Sequence, residues 1–270
     1  MSPSCAPGLS GFPGPCCKPE RLRGGVPTLG TWFSIGSPVI AEIAAGCGLD
    51  WGLFDHEQGC APEAALPDNL RAVAGTPLIP IVRVGAPHPD AVMRALNWGA
   101  EGIMFPHVES AEQADACVRT VRYPPRGDRG ISRSTRACGY GLRAPDFKNS
   151  PPRPIVIVQI ESLEGVRRAG EIAAVDGVDM LFVGPADLTF DLSINASPPG
   201  PDYAGCLRAV VAAARSHGKS TGILVRDVTD AGSLREAGFT HLAIDSDMAI
   251  LRSRYRQLMA GAKEWQNSQA

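Results

Sequence analysis

A chain of 270 residues, 44% of them hydrophobic, suits one large α/β domain or two small ones with a sizeable core. Its formal charge of −2, without a basic run, argues against nucleic acid or an anionic membrane surface as partner. No apolar stretch approaches the roughly 18 residues that a membrane helix needs.

The first two dozen residues are rich in Pro, Gly and Ser and lack the apolar core of a secretion signal. Residues 1–25 therefore read as a disordered extension, and 26–270 as a single domain. Cys5, Cys16 and Cys17 lie in that extension, and the other five cysteines show no metal-ligand spacing. Such usage fits free thiols of a reducing cytoplasm. From Val26 onward, short apolar runs alternate with amphipathic stretches. Strands are expected at 28–34, 49–54, 78–83, 102–105, 155–160, 180–183, 220–224 and 242–244. Helical spacing occupies 39–47, 90–98, 111–121, 163–173, 203–217 and 229–237. A short helix is expected within 58–74, and 122–154 is a long segment rich in Arg, Gly and Pro. Eight strands in about 250 residues predict a (β/α)₈ barrel. An open doubly wound sheet is the alternative, weakened because no phosphate-cradling glycine loop follows the first strand.

In a barrel, chemistry belongs at the C-terminal ends of strands, and polar groups gather there. Strand two ends in Asp55-His56-Glu57, strand three in Arg83, and strand five in Gln159-Ile160-Glu161. Strand six leads into Gly184-Pro185-Ala186-Asp187. Each alone reads more readily as a helix cap or a bland strand end than as a functional group. Together, Glu161 and Asp187 offer hard oxygen ligands suited to Mg²⁺ or Mn²⁺, with Co²⁺ also fitting. Arg83 ends an otherwise apolar strand, so its charge needs an anionic partner, from the protein or from a bound keto acid. His107 and Asp245-Ser246-Asp247 are further candidates for the rim. Schiff-base chemistry needs a lysine near a strand's C-terminal end, and Lys18, Lys148, Lys219 and Lys263 are all placed elsewhere.

Five segments, GTWFSIGSPVIAEIAAGCGLDWGLFDHEQG, PIVRVGAPHPDAVMRALNWGAEGIMFPHVESAEQA, RYPPRGDRG, VIVQIESLEGV and VDGVDMLFVGPADLT, resemble in that order the HpcH/HpaI aldolase family. The resemblance runs from about Val26 to Tyr255. It implies a (β/α)₈ barrel whose last helix packs on a neighbouring subunit, in a trimer or hexamer. It also implies a divalent metal held by Glu161 and Asp187, with Gln159 beside it. Arg83 would contact the ketone oxygen of pyruvate, the backbone at Pro185 and Ala186 its carboxylate, and Trp32 would line the pocket. The implied reaction is metal-dependent joining or splitting of pyruvate, or a related 2-keto acid, and an aldehyde.

One departure stands out. The family pattern is Asp-x-Glu-His, whereas this chain has Asp55-His56-Glu57-Gln58. Gln58 takes the place of a histidine that assists proton transfer near the aspartate, and glutamine cannot exchange a proton near neutral pH. His56 replaces it only if a turn redirects the ring, because side chains alternate along an extended strand. The change leaves two alternatives to an ordinary aldolase: a biosynthetic synthase with an unusual acceptor, or a barrel that no longer catalyses.

Overall fold

The computed structural model describes residues 19–23, 25–143, 145–195 and 200–267. Its strands are β1 (Thr28–Phe33), β2 (Trp51–His56), β3 (Ile79–Val84), β4 (Gly102–Phe105), β5 (Ile155–Ile160), β6 (Met180–Val183), β7 (Ser220–Val225) and β8 (His241–Ser246). All pair in parallel and in sequence order, and β8 closes on β1. The helices are α1 (Glu20–Arg23), α2 (Pro38–Gly46), α3 (Leu66–Ala72), α4 (Pro89–Trp98), α5 (Ala111–Val121), α6 (Leu163–Arg167), α7 (Ala169–Ala174), α8 (Pro185–Asn195), α9 (Tyr203–Ser216), α10 (Ala231–Ala237) and α11 (Asp247–Asn267). The expected (β/α)₈ barrel is what forms.

The period of two along each strand divides the core. Phe54, Val82, Phe105, Val158 and Leu181 face outward into the layer shared with the helices. Leu53, Ile81, Met104, Ile157 and Phe182 face inward and fill the barrel. Gly30 on β1 is required by this filling: a Cβ there would collide with the Trp51 indole.

The closed end explains where chemistry can occur. Leu22 of α1 is buried against the inner cluster, and its carbonyl accepts from Ser220 Oγ at 2.9 Å. Arg23 Nε donates to Asp179 Oδ1 at 2.8 Å, and Asp179 Oδ2 also takes the Val156 amide at 2.9 Å. The barrel is stoppered at the N-terminal ends of its strands and open at the other. Within the stretch 1–25 read as an extension, Glu20–Arg23 form a turn of helix too short to show periodicity and carry this plug; residues 1–18 and 24 lie outside the described residues. Strand ends shift by one or two residues in β1, β2, β3, β7 and β8, and three helical stretches differ in kind. The stretch 163–173 is two helices broken at Arg168 (φ −97°, ψ 8°). Pro185 and Ala186 begin a helix, α8, that the spacing does not announce. The stretch 229–237 starts with a 3₁₀ turn.

His241 is fully buried beside the plug. Thr28 Oγ1 accepts the Trp51 indole N–H at 3.2 Å and shares a hydrogen bond with His241 Nδ1, 2.6 Å away. Burial pushes the ring down to about 4, against smaller opposing effects from the Leu22 backbone and Asp50. Below the ordinary value of 6.5 the unfolded chain binds a proton that the folded chain refuses until about 4. Stability is therefore complete above that window and falls through it, by on the order of 3 kcal/mol from this residue. Urea unfolding of His241→Asn, compared with the parent at pH 7 and pH 4.5, is expected to show a flatter loss of stability with acidification.

Candidate active site at the barrel mouth

Alternation brings Asp55, Arg83 and Gln159 to the inward positions that end β2, β3 and β5. Arg83 is 7% exposed and lies between three partners. Its Nε and Nη2 donate to the two oxygens of Asp55 at 2.9 and 2.7 Å, a planar fork. Its Nη1 reaches Gln159 Oε1 at 3.4 Å and forms an ion pair with Glu57 Oε2 at 2.8 Å. The guanidinium lies 5.3 Å from the Trp32 ring centroid, and Trp32 packs on Phe182. Burial alone would raise the Asp55 carboxyl. The Arg83 hydrogen bonds and charge, with the Glu57 and Gln58 amides, outweigh it and hold Asp55 below the usual carboxylate range.

Across the mouth, Gln159 Nε2 donates to Glu161 Oε2 at 2.6 Å. Glu161 Oε1 accepts the His107 amide at 2.8 Å and lies 3.0 Å from His107 Nδ1. His107 has a φ of 53°, which presents its amide and ring to the same oxygen. Its Nε2 sits 3.5 Å from Glu57 Oε1, so the imidazole bridges two carboxylates while its side chain remains 58% exposed. Burial pushes the Glu161 carboxyl up, with the neighbouring charges of Asp187 and Glu57 adding to the effect of burial. Burial likewise raises Glu57. Gly184 makes room for the arrangement: a Cβ there would overlap Glu161 Oε2 and come within 2.8 Å of Gln159 Nε2.

The residues singled out in the sequence separate into two groups. Asp55, Arg83, Gln159, Glu161 and Trp32 converge, and Asp187, in the first turn of α8, acts electrostatically on Glu161. Pro185 and Ala186 form the start of that helix. His56 does not join them. The strand stays extended through His56, which pairs with Val84, so its ring faces outward into a cavity of about 180 Å³ lined by Glu63, Leu66 and Ala91. No turn returns it to the site. Gln58 is exposed, and its amide N–H serves Asp55. Gly184, and the full engagement of Glu57 and His107, were not foreseen, although inward alternation beyond β2 already aimed Glu57 at the mouth.

Lys219 donates to the Val175 and Val178 carbonyls at the opposite end of the barrel, which fits the exclusion of a Schiff base. The donor set does fit a divalent cation. Glu161, raised by burial and by the neighbouring charge of Asp187, is an oxygen ligand seeking a positive charge, and Gly184 leaves space directly over it. Among the described residues no three His, Cys, Asp or Glu are arranged to hold a metal, so the protein would supply two ligands and leave the remaining positions open.

Residues 28–253 match the model of a family described as HpcH/HpaI aldolase/citrate lyase. A hydroxypyruvate/pyruvate aldolase of Paraburkholderia phytofirmans is 37% identical over 246 residues, 89% of this chain and 95% of that protein. A 5-keto-4-deoxy-D-glucarate aldolase of Shigella boydii is 35% identical over 230 residues, 85% of this chain and 90% of that one. A crystal structure of an aldolase/citrate lyase family protein from Burkholderia cenocepacia superposes with a TM-score of 0.83 at 37% identity, covering 90% of this chain and 98% of the other. With matching sequence, matching barrel and the strand-end carboxylates in place, the chain belongs to the HpcH/HpaI aldolase/citrate lyase family.

Proposed function

We propose that this chain is a carbon–carbon lyase that splits a 4-hydroxy-2-keto acid into pyruvate, or a related keto acid, and an aldehyde, or runs the reverse addition. The observation that carries the reading is the facing arrangement of the Asp55-held Arg83 and the Gln159-held Glu161 across one mouth. Glu161 and Asp187 would hold Mg²⁺, Mn²⁺ or Co²⁺, which when bound supplies Lewis-acid polarisation of the keto acid. Arg83 donates to the ketone oxygen and holds the negative charge that grows there as the enolate forms. Asp55 fixes the plane of the guanidinium, and Gln159 fixes Glu161. The open N-terminus of α8 at Pro185–Ala186 suits the keto-acid carboxylate, because first-turn amides lack helical partners.

In cleavage the bond between C3 and C4 breaks, the C4 hydroxyl gives up its proton, and C3 of the enolate takes one. With Gln58 unable to exchange protons and His56 turned outward, His107 is the imidazole facing Glu57 and Glu161. It takes over the proton transfer that the family pattern assigns to the position of Gln58. A histidine arriving from β4 instead of β2 keeps the reading of a working lyase ahead of a barrel without catalysis.

The last helix bears on assembly. Every residue from Leu251 to Gly261 is exposed, with Leu251, Tyr255, Leu258 and Met259 along one stripe. An apolar stripe left uncovered among the described residues suits packing on a second copy, as the family resemblance implies for a trimer or hexamer.

Incubated in D₂O with Mn²⁺, the protein is expected to exchange the methyl protons of pyruvate, and Glu161→Ala to abolish the exchange. Persistence of exchange in that variant would refute the assignment. His107→Gln is expected to slow exchange by ~10²-fold or more, and Gln58→His in that background to restore part of it. Sedimentation of Leu258→Glu/Met259→Glu is expected to show a smaller assembly than the parent.

A further inference from the structure

Two more charged side chains stand at the C-terminal ends of β7 and β8, on the rim of the mouth. On β7, Ser220 and Leu224 point inward, whereas Ile223 and Val225 pack in the outer layer. Arg226, one residue beyond the strand, falls on the next inward position. On β8, His241 and Ala243 point inward and Leu242 outward; beyond Ala243 the register on β1 shifts, and Asp245 sits in that irregularity at the C-terminal end of the strand. Arg226 Nη1 donates to Asp245 Oδ1 at 2.7 Å. Ser246, next to Asp245, is in register with Trp32, the ring against which Arg83 lies. Asp245 holds a φ of 48°, a left-handed conformation that costs an L-residue energy glycine avoids.

Like Asp55–Arg83, this pair joins the C-terminal ends of two neighbouring strands, but it differs in saturation. The Arg83 fork is closed on both carboxylate oxygens and its side chain is 8% exposed. Arg226 spends one nitrogen and Asp245 one oxygen; among the described residues neither side chain makes a second hydrogen bond, and the Arg226 side chain is 64% exposed. Donors and an acceptor therefore stand side by side with no net charge. Two neighbouring hydroxyls complement such a pair, one donating to Asp245 and the other accepting from Arg226. A carboxylate would gain from Arg226 but meet Asp245 beside it and the acidic side chains of Glu57 and Asp187 further in.

We infer that Arg226 and Asp245 are specificity-determining residues that read the hydroxyls of an uncharged hydroxyaldehyde, the second substrate of the lyase. The inference rests on the proposed function: with the keto acid held between Arg83 and the Glu161–Asp187 pair, its partner enters through the open mouth that these two residues border.

The test measures kcat/KM for addition of pyruvate, with Mn²⁺, to D-glyceraldehyde, to propionaldehyde (the same chain without hydroxyls) and to glyoxylate. Asp245→Gly relieves the left-handed backbone and so keeps the fold, while Arg226→Gln removes the charge. In both variants the glyceraldehyde-to-propionaldehyde ratio is expected to fall by ~10-fold or more, since a site built to bond a hydroxyl discriminates strongly against its absence. Asp245→Gly, which frees Arg226, is expected to improve glyoxylate. A ratio within twofold of the parent in both variants overturns the inference, as does a parent that prefers glyoxylate to glyceraldehyde. Pyruvate methyl exchange in the parent separates the two levels. Exchange with an unchanged ratio sinks only the role of Arg226 and Asp245, whereas no exchange sinks the lyase reading and this inference with it.

Discussion

Arg83 closes a strand whose other side chains are apolar, and a permanent charge is stable there because Asp55 meets it with both carboxylate oxygens. The rest of the mouth follows from that contact. Asp55 also takes the Glu57 and Gln58 amides, so the backbone beyond β2 is tied to the same carboxylate. With Arg83 fixed, Nη1 is left to reach Gln159, whose other end anchors Glu161. A continuous polar chain thus crosses from β2 to β5 through a barrel otherwise filled with hydrocarbon. Such a network is favourable only when its members are satisfied, which is why Gly184 must stay small where it backs Glu161.

The barrel was readable in the sequence because its signal is repetitive. β4, β5 and β6 fall on the expected residues, since runs such as IVIVQI are apolar on both faces and bounded by turn-forming neighbours. Elements without periodic apolar faces were harder to see. α8 buries only Leu188 and exposes Phe190 and Ile194, so nothing in its pattern marks a helix. α11 offers even less, because among the described residues most of its length is exposed. The Glu20–Arg23 plug is a single turn whose order comes from the barrel it enters, which no local propensity records.

The candidate site was readable at the strand ends and less so between them. Asp55, Arg83, Gln159 and Glu161 could be placed by counting alternate residues along strands. The same count put His56 on the outer face, and the extended backbone through its pairing with Val84 keeps it there. His107 was harder to place because its orientation depends on a positive φ, a tertiary choice that a non-glycine residue seldom makes. Arg226 is a different case: continuing the β7 alternation by one residue would have found it.

The seam between β8 and β1 has a consequence for how the chain reaches this state. Thr28 and His241 lie 213 residues apart, and the Ser220–Leu22 contact spans 198. Strand β1 must therefore wait for nearly all the rest of the barrel to be made before its second edge is covered. Contacts of such long sequence separation are slow to form, and unpaired parallel edges expose a chain to aggregation meanwhile. Nascent molecules of this protein would spend their most vulnerable interval with β1 half-paired, which is when a chaperone would have most to offer them.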